Sequence, residues 1–200
     1  MIKLNIGCGG SPLLDYINID RDSLEELRRR YPKTIFSDDL IIVDHNIFNL
    51  PYLENSVDEV NADGLLEHLS FKEEPLFLCE VIRILKPGAT FRFSVPDFEA
   101  ACRIWLEAED DWKEFYADSD KAISEQHWFG TYTYDYKNRW GYIMATFFGS
   151  QKGSGQYHKN GYSEKKIRAM LSAIGFTRME CLQFQWRGDR DFMIQTIATK

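Results

Sequence analysis

The chain has 200 residues, a mass of 23.4 kDa and a net charge of −7, with an isoelectric point of about 5.2, so it suits one domain of ordinary size. The 44% hydrophobic share supplies a core, and the acidic balance argues against a nucleic-acid surface, which needs clustered Lys and Arg. The basic run Arg28-Arg29-Arg30 shares a helix with Glu25 and Glu26 and reads as a solvated face. Cys8, Cys79, Cys102 and Cys181 are too far apart for a CxxC pair. No metal site or disulfide is therefore expected, and free thiols fit a reducing compartment. There is no leader-like start and no long apolar run, so a cytoplasmic protein without membrane contact is expected.

In chain order, Ile2–Ile6 is a short apolar run that ends at glycine, a buried strand. Tyr16–Asp20, Leu40–Asp44 and Val57–Ala62 read as three more strands. Ser23 with Glu26 forms a capping box that opens a helix closed by Pro32. Ser70 with Glu73 forms another, and Leu78, Val81, Ile82 and Leu85 then mark one helix face. Lys86-Pro87-Gly88 stops that helix and turns into a fifth strand, Thr90–Val95. Asp97 opens a helix to about Glu107. His127 to Phe148 is crowded with aromatics, and Gly149 to Gly161 is a Gly-, Ser- and Lys-containing loop. Ser163 opens a last helix that Gly175 ends. Phe176–Gln185 and Phe192–Thr199 close the chain as strands joined by the turn at Arg187-Gly188-Asp189-Arg190. The alternation predicts an α/β fold with a mostly parallel sheet between helices, and the last two strands form an antiparallel edge hairpin. A single domain is expected over 1–200, with an aromatic-rich insertion or lid at about 108–160.

The turn Leu4-Asn5-Ile6-Gly7-Cys8-Gly9-Gly10 follows the first strand. Glycines there let backbone approach a ligand at the carboxyl rim of the sheet. Asp20 ends the second strand at the same rim, where a carboxylate accepts both ribose hydroxyls of an adenosine. A tight loop with a surface acid is the plainer alternative. The nicotinamide dinucleotide fingerprint wants a third glycine where Pro12 stands, and an acid farther along than Asp20. A mononucleoside ligand fits better.

Four segments, taken in order, resemble the class I S-adenosylmethionine-dependent methyltransferases of the type 11 branch. They are Leu4 to Gly10, Tyr16 to Asp20, Asn46 through Leu66-Glu67-His68-Leu69, and Val81 to Gly88. The closing Ala173-Ile174-Gly175-Phe176 is similar as well. The resemblance implies a three-layer Rossmann-like fold with a seven-stranded sheet, S-adenosylmethionine as cofactor and S-adenosylhomocysteine as product. It places Gly7, Gly9 and Gly10 under the methionine and ribose portions and Asp20 on the ribose. Asn46 and Ile47 fall at the adenine, and Ala62 and Asp63 at the amino-acid end. Two departures stand out. Asn5 replaces the usual acid of the first motif: it is still expected to hydrogen-bond the cofactor but offers its ammonium no charge, which Asp63 supplies instead. Only Ser11 to Asp15 bridge the glycines and the second strand, so the crossover helix shrinks to about one turn. A small related branch, found among cell-surface polysaccharide genes, is similar in this shortening and hints at a glycan acceptor.

The implied reaction is methyl transfer to a small-molecule or glycan acceptor, with oxygen favoured. A hydroxyl acceptor must lose a proton, so a base helps, and histidine suits neutral pH. His158, in the loop before the last helix, is the favoured base or substrate contact, against an ordinary surface histidine. His68 helps catalysis or positions its helix. His45 reads as structural or exposed, and His127 begins the aromatic segment. Asp97 binds acceptor or caps its helix. A non-catalytic cofactor-binding protein and a nicotinamide or nucleotide-sugar enzyme are the competing readings, and the oligomeric state is open.

Overall fold

The computed structural model describes residues 1–107, 139–151, 155–185 and 192–200. The strands are β1 (Lys3–Ile6), β2 (Ile17–Ile19), β3 (Ile41–Val43), β4 (Val57–Asn61), β5 (Leu85–Pro96), β6 (Arg178–Gln185) and β7 (Phe192–Thr199). The helices are α1 (Leu24–Arg30), α2 (Glu73–Ile84), α3 (Phe98–Leu106), α4 (Arg139–Phe148) and α5 (Glu164–Ile174), with one 3₁₀ turn at Leu66–His68. The sheet order is β3-β2-β1-β4-β5-β7-β6. The first five strands pair in parallel, and β7 runs antiparallel to both β5 and β6. This is the expected three-layer α/β arrangement, a seven-stranded Rossmann-like sheet whose C-terminal hairpin forms one edge.

Local signals place the helices. Ser23 accepts from the backbone N–H of Glu26 while Glu26 reaches back to Ser23, closing the capping box of α1. Ser70 and Glu73 exchange the same reciprocal bonds just ahead of α2. Ser163 caps α5, and Gly175 ends it at φ +113°, a left-handed value that costs glycine nothing.

The main core lies under α2 and α5. Leu4, Ile6, Ile19, Val60, Phe91, Phe93 and Val95 of the sheet pack with Phe77, Leu78, Val81 and Ile84 of α2 and with Ile167 and Leu171 of α5. Two of the matched segments have a mechanical reason to be linked. The Glu80 carboxylate accepts from the Leu50 N–H, and the Arg83 guanidinium donates to the carbonyls of Leu50 and Tyr52. The half-buried pair thus fastens the Leu50-Pro51-Tyr52 segment onto α2.

Two expectations change. Lys86-Pro87-Gly88 does not break the chain into helix, turn and strand, because β5 already begins at Leu85. The Gly88 N–H donates to the Lys200 carbonyl and the Lys200 N–H to Ala89, so the C-terminus draws this stretch into the sheet. The β1–β2 crossover, residues 7–16, contains no helix, not even the single turn expected. Asn18 holds it instead, accepting from the Leu13 N–H (2.8 Å) and donating to the Leu13 carbonyl (3.0 Å). The expected turn at 187–190 and most of the aromatic insertion lie outside the described residues.

Candidate active site at the carboxyl rim

Strand order reverses between β1 and β4, and in open α/β sheets the crevice beyond the carboxyl ends at such a switch point is where ligands bind. The glycine turn leaves β1 there. Gly7 (φ +69°) and Gly9 (φ +48°) both adopt left-handed backbone. The Gly7 N–H donates to the Ile19 carbonyl at 2.7 Å, which folds the turn onto the end of β2. Asp20 follows directly. Its Oδ2 accepts the Gly9 N–H at 2.8 Å and its Oδ1 accepts the Asp22 N–H at 3.0 Å. The turn is packed from outside by two side chains. A Cβ at Gly7 would stand 3.0 Å from Leu65 Cδ1, and one at Gly10 would stand 2.7 Å from the Tyr31 ring.

Cys8 sits inside the turn, 4% exposed. Burial, reinforced by the Asp20 charge, pushes its thiol up to about 12. Cys79 is exposed on α2. With iodoacetamide at about pH 8, the native chain is expected to be alkylated rapidly at Cys79 and at Cys8 only after denaturation. Peptide mapping that finds Cys8 modified as fast as Cys79 would overturn this account of the turn.

Asn5 is committed below the turn. It lies in register between Asn18 of β2 and Asn61 of β4. Its Nδ2 donates to Asn18 Oδ1 (2.8 Å) and to the Ser11 carbonyl (3.1 Å), and its Oδ1 accepts from Asn61 Nδ2 (2.9 Å). The ladder continues to the rim, where Asn61 Nδ2 also reaches Asp63 Oδ2 and Ser94 Oγ donates to Asp63 Oδ1. Ala62 is fully buried just before it. Beyond β3, Asn46 is exposed and turns its Oδ1 onto the Phe48 N–H, while Ile47 packs against the main core. His45 lies beside Tyr52, with ring centroids 6.3 Å apart.

The loop before α5 crosses to this rim. The N–H groups of Lys159 and Asn160 both donate to the Glu67 carbonyl, at 2.7 and 3.2 Å. The rings of His68 and His158 thereby meet, with centroids 4.9 Å apart. His68 Nδ1 is 3.0 Å from the Tyr157 carbonyl, and His158 Nδ1 is 2.8 Å from the Thr146 carbonyl. Glu67, the residue between them and Asp63, is 4% exposed. Burial lowers both imidazoles, His158 to about 4, and burial with the Asp63 charge raises Glu67 to about 8. Asp97 is elsewhere engaged. It caps α3 through the Ala100 N–H (2.9 Å), accepts from Gln183 Nε2 (2.6 Å) and is 6% exposed. His127 lies outside the described residues.

A family model described as a methyltransferase domain matches residues 4–93. Over those residues the chain is similar to the class I S-adenosylmethionine-dependent methyltransferases of the type 11 kind. No curated protein sequence matches it, whereas many solved structures share its fold. A S-adenosylmethionine-dependent methyltransferase from Methanosarcina mazei is 19% identical, with a TM-score of 0.56 over 99% of this chain and 91% of that one. The 1,6-didemethyltoxoflavin-N1-methyltransferase of Burkholderia thailandensis, solved with its acceptor and S-adenosylhomocysteine, is 14% identical, with a TM-score of 0.57 over 100% and 70%. Magnesium protoporphyrin IX methyltransferase from Synechocystis, with bound S-adenosylhomocysteine, is 12% identical, with a TM-score of 0.57 over 100% and 74%. At these identities the likeness is one of fold.

The methyltransferase rim fits its cofactor. Asp20 Oδ1 accepts one backbone N–H and retains a second acceptor direction, while Oδ2 accepts the Gly9 N–H and, at 4.0 Å, the Cys8 thiol, a weak contact that a ribose hydroxyl would replace. Three contributors escaped the sequence reading. Tyr31 covers Gly9 and Gly10 from the end of α1, the Arg21 guanidinium lies against Gly155, and Glu67 joins the two histidines. Tyr31 and Arg21 carry no local signal, since each depends on which distant segment folds beside it.

Proposed function

We propose that this methyltransferase acts in the cytoplasm on a hydroxyl of a small-molecule or glycan acceptor. The observation that carries the acceptor side is the meeting of His68 and His158 over the rim, 4.9 Å apart. A carbonyl oxygen only accepts hydrogen bonds, so the carbonyls beside each Nδ1 keep the proton there and leave the Nε2 lone pairs unprotonated. A hydroxyl acceptor must shed a proton as it attacks, and lone-pair bases at that point provide for it. S-adenosylmethionine supplies a methyl group already activated on a sulfonium. The chain's part is therefore alignment and exclusion of water.

In this reading Asp20 holds the ribose hydroxyls, and Gly7, Gly9 and Gly10 carry the backbone beneath the methionine and ribose portions. Asn46 and Ile47 flank the adenine. Ala62 and Asp63 border the amino-acid end, where Asp63 provides the charge that Asn5 lacks. Asn5 acts from beneath, fixing Ser11 and the turn. Asp97 positions α3 and does not meet the acceptor. The chain works as one domain, and the aromatic segment at about 108–160 forms the acceptor pocket or lid. Its described part supports this: Phe147 of α4 packs on Phe98 and Trp105 of α3, while Phe148 and Tyr157 remain about half exposed. Such faces stack on sugar or phenolic rings. The four free thiols agree with a reducing compartment, and no helix among the described residues is long and apolar enough to cross a membrane.

The test is methyl release from labelled S-adenosylmethionine across sugar, phenol and amine pools. Turnover is expected with hydroxyl compounds and is expected to fall at least about a hundredfold in His158→Ala, with cofactor binding by calorimetry retained. Turnover confined to amines would remove the oxygen assignment.

A further inference from the structure

Glu67, His68 and His158 meet in a pattern that suits a metal ion better than a lone base. Both imidazoles are held in one way, with Nδ1 on a backbone carbonyl and Nε2 bearing the lone pair. Metal-ligating histidines are oriented by this kind of outer hydrogen bond. Glu67 is 4% exposed, and its Oε2 has no hydrogen-bond partner among the described residues. A buried carboxylate oxygen without a partner is costly, and a cation in front of it offsets that cost. One ligand atom from each of the three residues lies within 4.8 Å of the others. Bonds of about 2.0–2.2 Å bring tetrahedral ligand atoms roughly 3.4 Å apart, a closure that side-chain rotation on a 3₁₀ turn and a loop supplies. Asp63 adds a second negative charge on the Glu67 side, while Arg21 and Lys159 act on His68 from the other. Lys159 is itself paired with Glu73.

We propose that Glu67, His68 and His158 bind one divalent transition-metal ion of the Zn²⁺ class, with a fourth position open to the acceptor oxygen. Two imidazoles and a carboxylate are a donor set for such an ion, and three protein ligands with an open position mark a reactive rather than a structural site. The proposal rests on the reading of this rim as the acceptor end. An acceptor hydroxyl binding the ion through an oxygen lone pair becomes more acidic and gives its proton to water. Its oxygen keeps the electron pair that forms the bond to the methyl carbon, while the carbon–sulfur pair returns to sulfur. The ion, not an imidazole, then makes the oxygen nucleophilic.

The full chain, stripped with a chelator, is titrated with Co²⁺ followed by visible absorption, and Zn²⁺ affinity is taken from competition. One equivalent is expected to bind. Glu67→Gln, His68→Gln and His158→Gln are each expected to weaken binding at least about a hundredfold, with circular dichroism and calorimetric affinity for S-adenosylmethionine kept as folding controls. Absence of stoichiometric binding, or binding that the three variants leave unchanged, overturns the site. A stripped chain that transfers methyl at full rate to a hydroxyl acceptor overturns the ion's part in the reaction and leaves the imidazole reading standing. Stoichiometric, variant-sensitive binding without turnover on any hydroxyl compound supports the site and sinks the acceptor assignment instead.

Discussion

An Asp20→Ala chain is expected to bind S-adenosylmethionine roughly a hundredfold more weakly than the parent, measured by titration calorimetry. Hydrogen bonds to a charged group contribute about 1.5–3 kcal/mol each. Two ribose hydroxyls on one carboxylate therefore supply about 3 kcal/mol after allowance for competing water, which corresponds to that factor. Asp20 also has a structural task, since it accepts the N–H groups of Gly9 and Asp22. Asp20→Asn separates the two. Its amide oxygen still accepts the Gly9 N–H and keeps the turn, but the charge and one acceptor oxygen are gone. Asn is therefore expected to retain most of the thermal stability of the unliganded chain and to lose about tenfold or more in affinity. An affinity within about threefold of the parent in both variants would take Asp20 out of the cofactor site.

The second large effect falls on stability. Asn18 is fully buried and makes five hydrogen bonds. It accepts from Asn5 and from the Leu13 N–H, and it donates to the carbonyls of Leu13, Tyr16 and Ile41. Replacing it with Leu preserves the volume but strands these groups inside the sheet. A loss of about 4 kcal/mol is expected, a large part of the 5–15 kcal/mol typical of a domain. For a chain of this length it lowers the melting temperature by roughly 10 °C. Asn49→Ala, at an exposed position, is the control and is expected to shift stability by no more than about 0.5 kcal/mol. If Asn18→Leu melts within about 3 °C of the parent, the crossover is held by something other than the ladder.

These two residues differ in how far the sequence announced them. Asp20 was legible because it ends an apolar run soon after the glycines, and strand ends share a rim in any parallel sheet. Asn18 gave no sign. A polar residue inside a three-residue strand is unremarkable until register sets it beside Asn5, which in turn meets Asn61 on its other side. The same divide runs through the site. Each histidine could be named as a candidate, but His68 and His158 become one feature only when the 149–162 loop docks on the Glu67 carbonyl. Glu67 looks like an ordinary helix-start acid until burial leaves an oxygen without a partner. Asp97 shows the reverse case. Its position before α3 announced a cap, and the Ala100 bond bears that out, while the Gln183 contact from β6 could be seen only in three dimensions.

By itself the sequence determined the boundaries of α1, α3 and α5 and the start of α2, though not α4, and with them the place of the glycine turn, the acid beside it and the class of the sheet. All of these follow from contacts between near neighbours or from apolar periodicity, which chain order records directly. Only the tertiary structure decided that β5 starts at Leu85, that Asn5 supports the turn from beneath, that Tyr31 and Leu65 fill the space the glycines leave, and that Glu67, His68 and His158 share one point on the rim. Each of those rests on partners brought together by the sheet or by a loop crossing it, and spacing along the chain carries no trace of them.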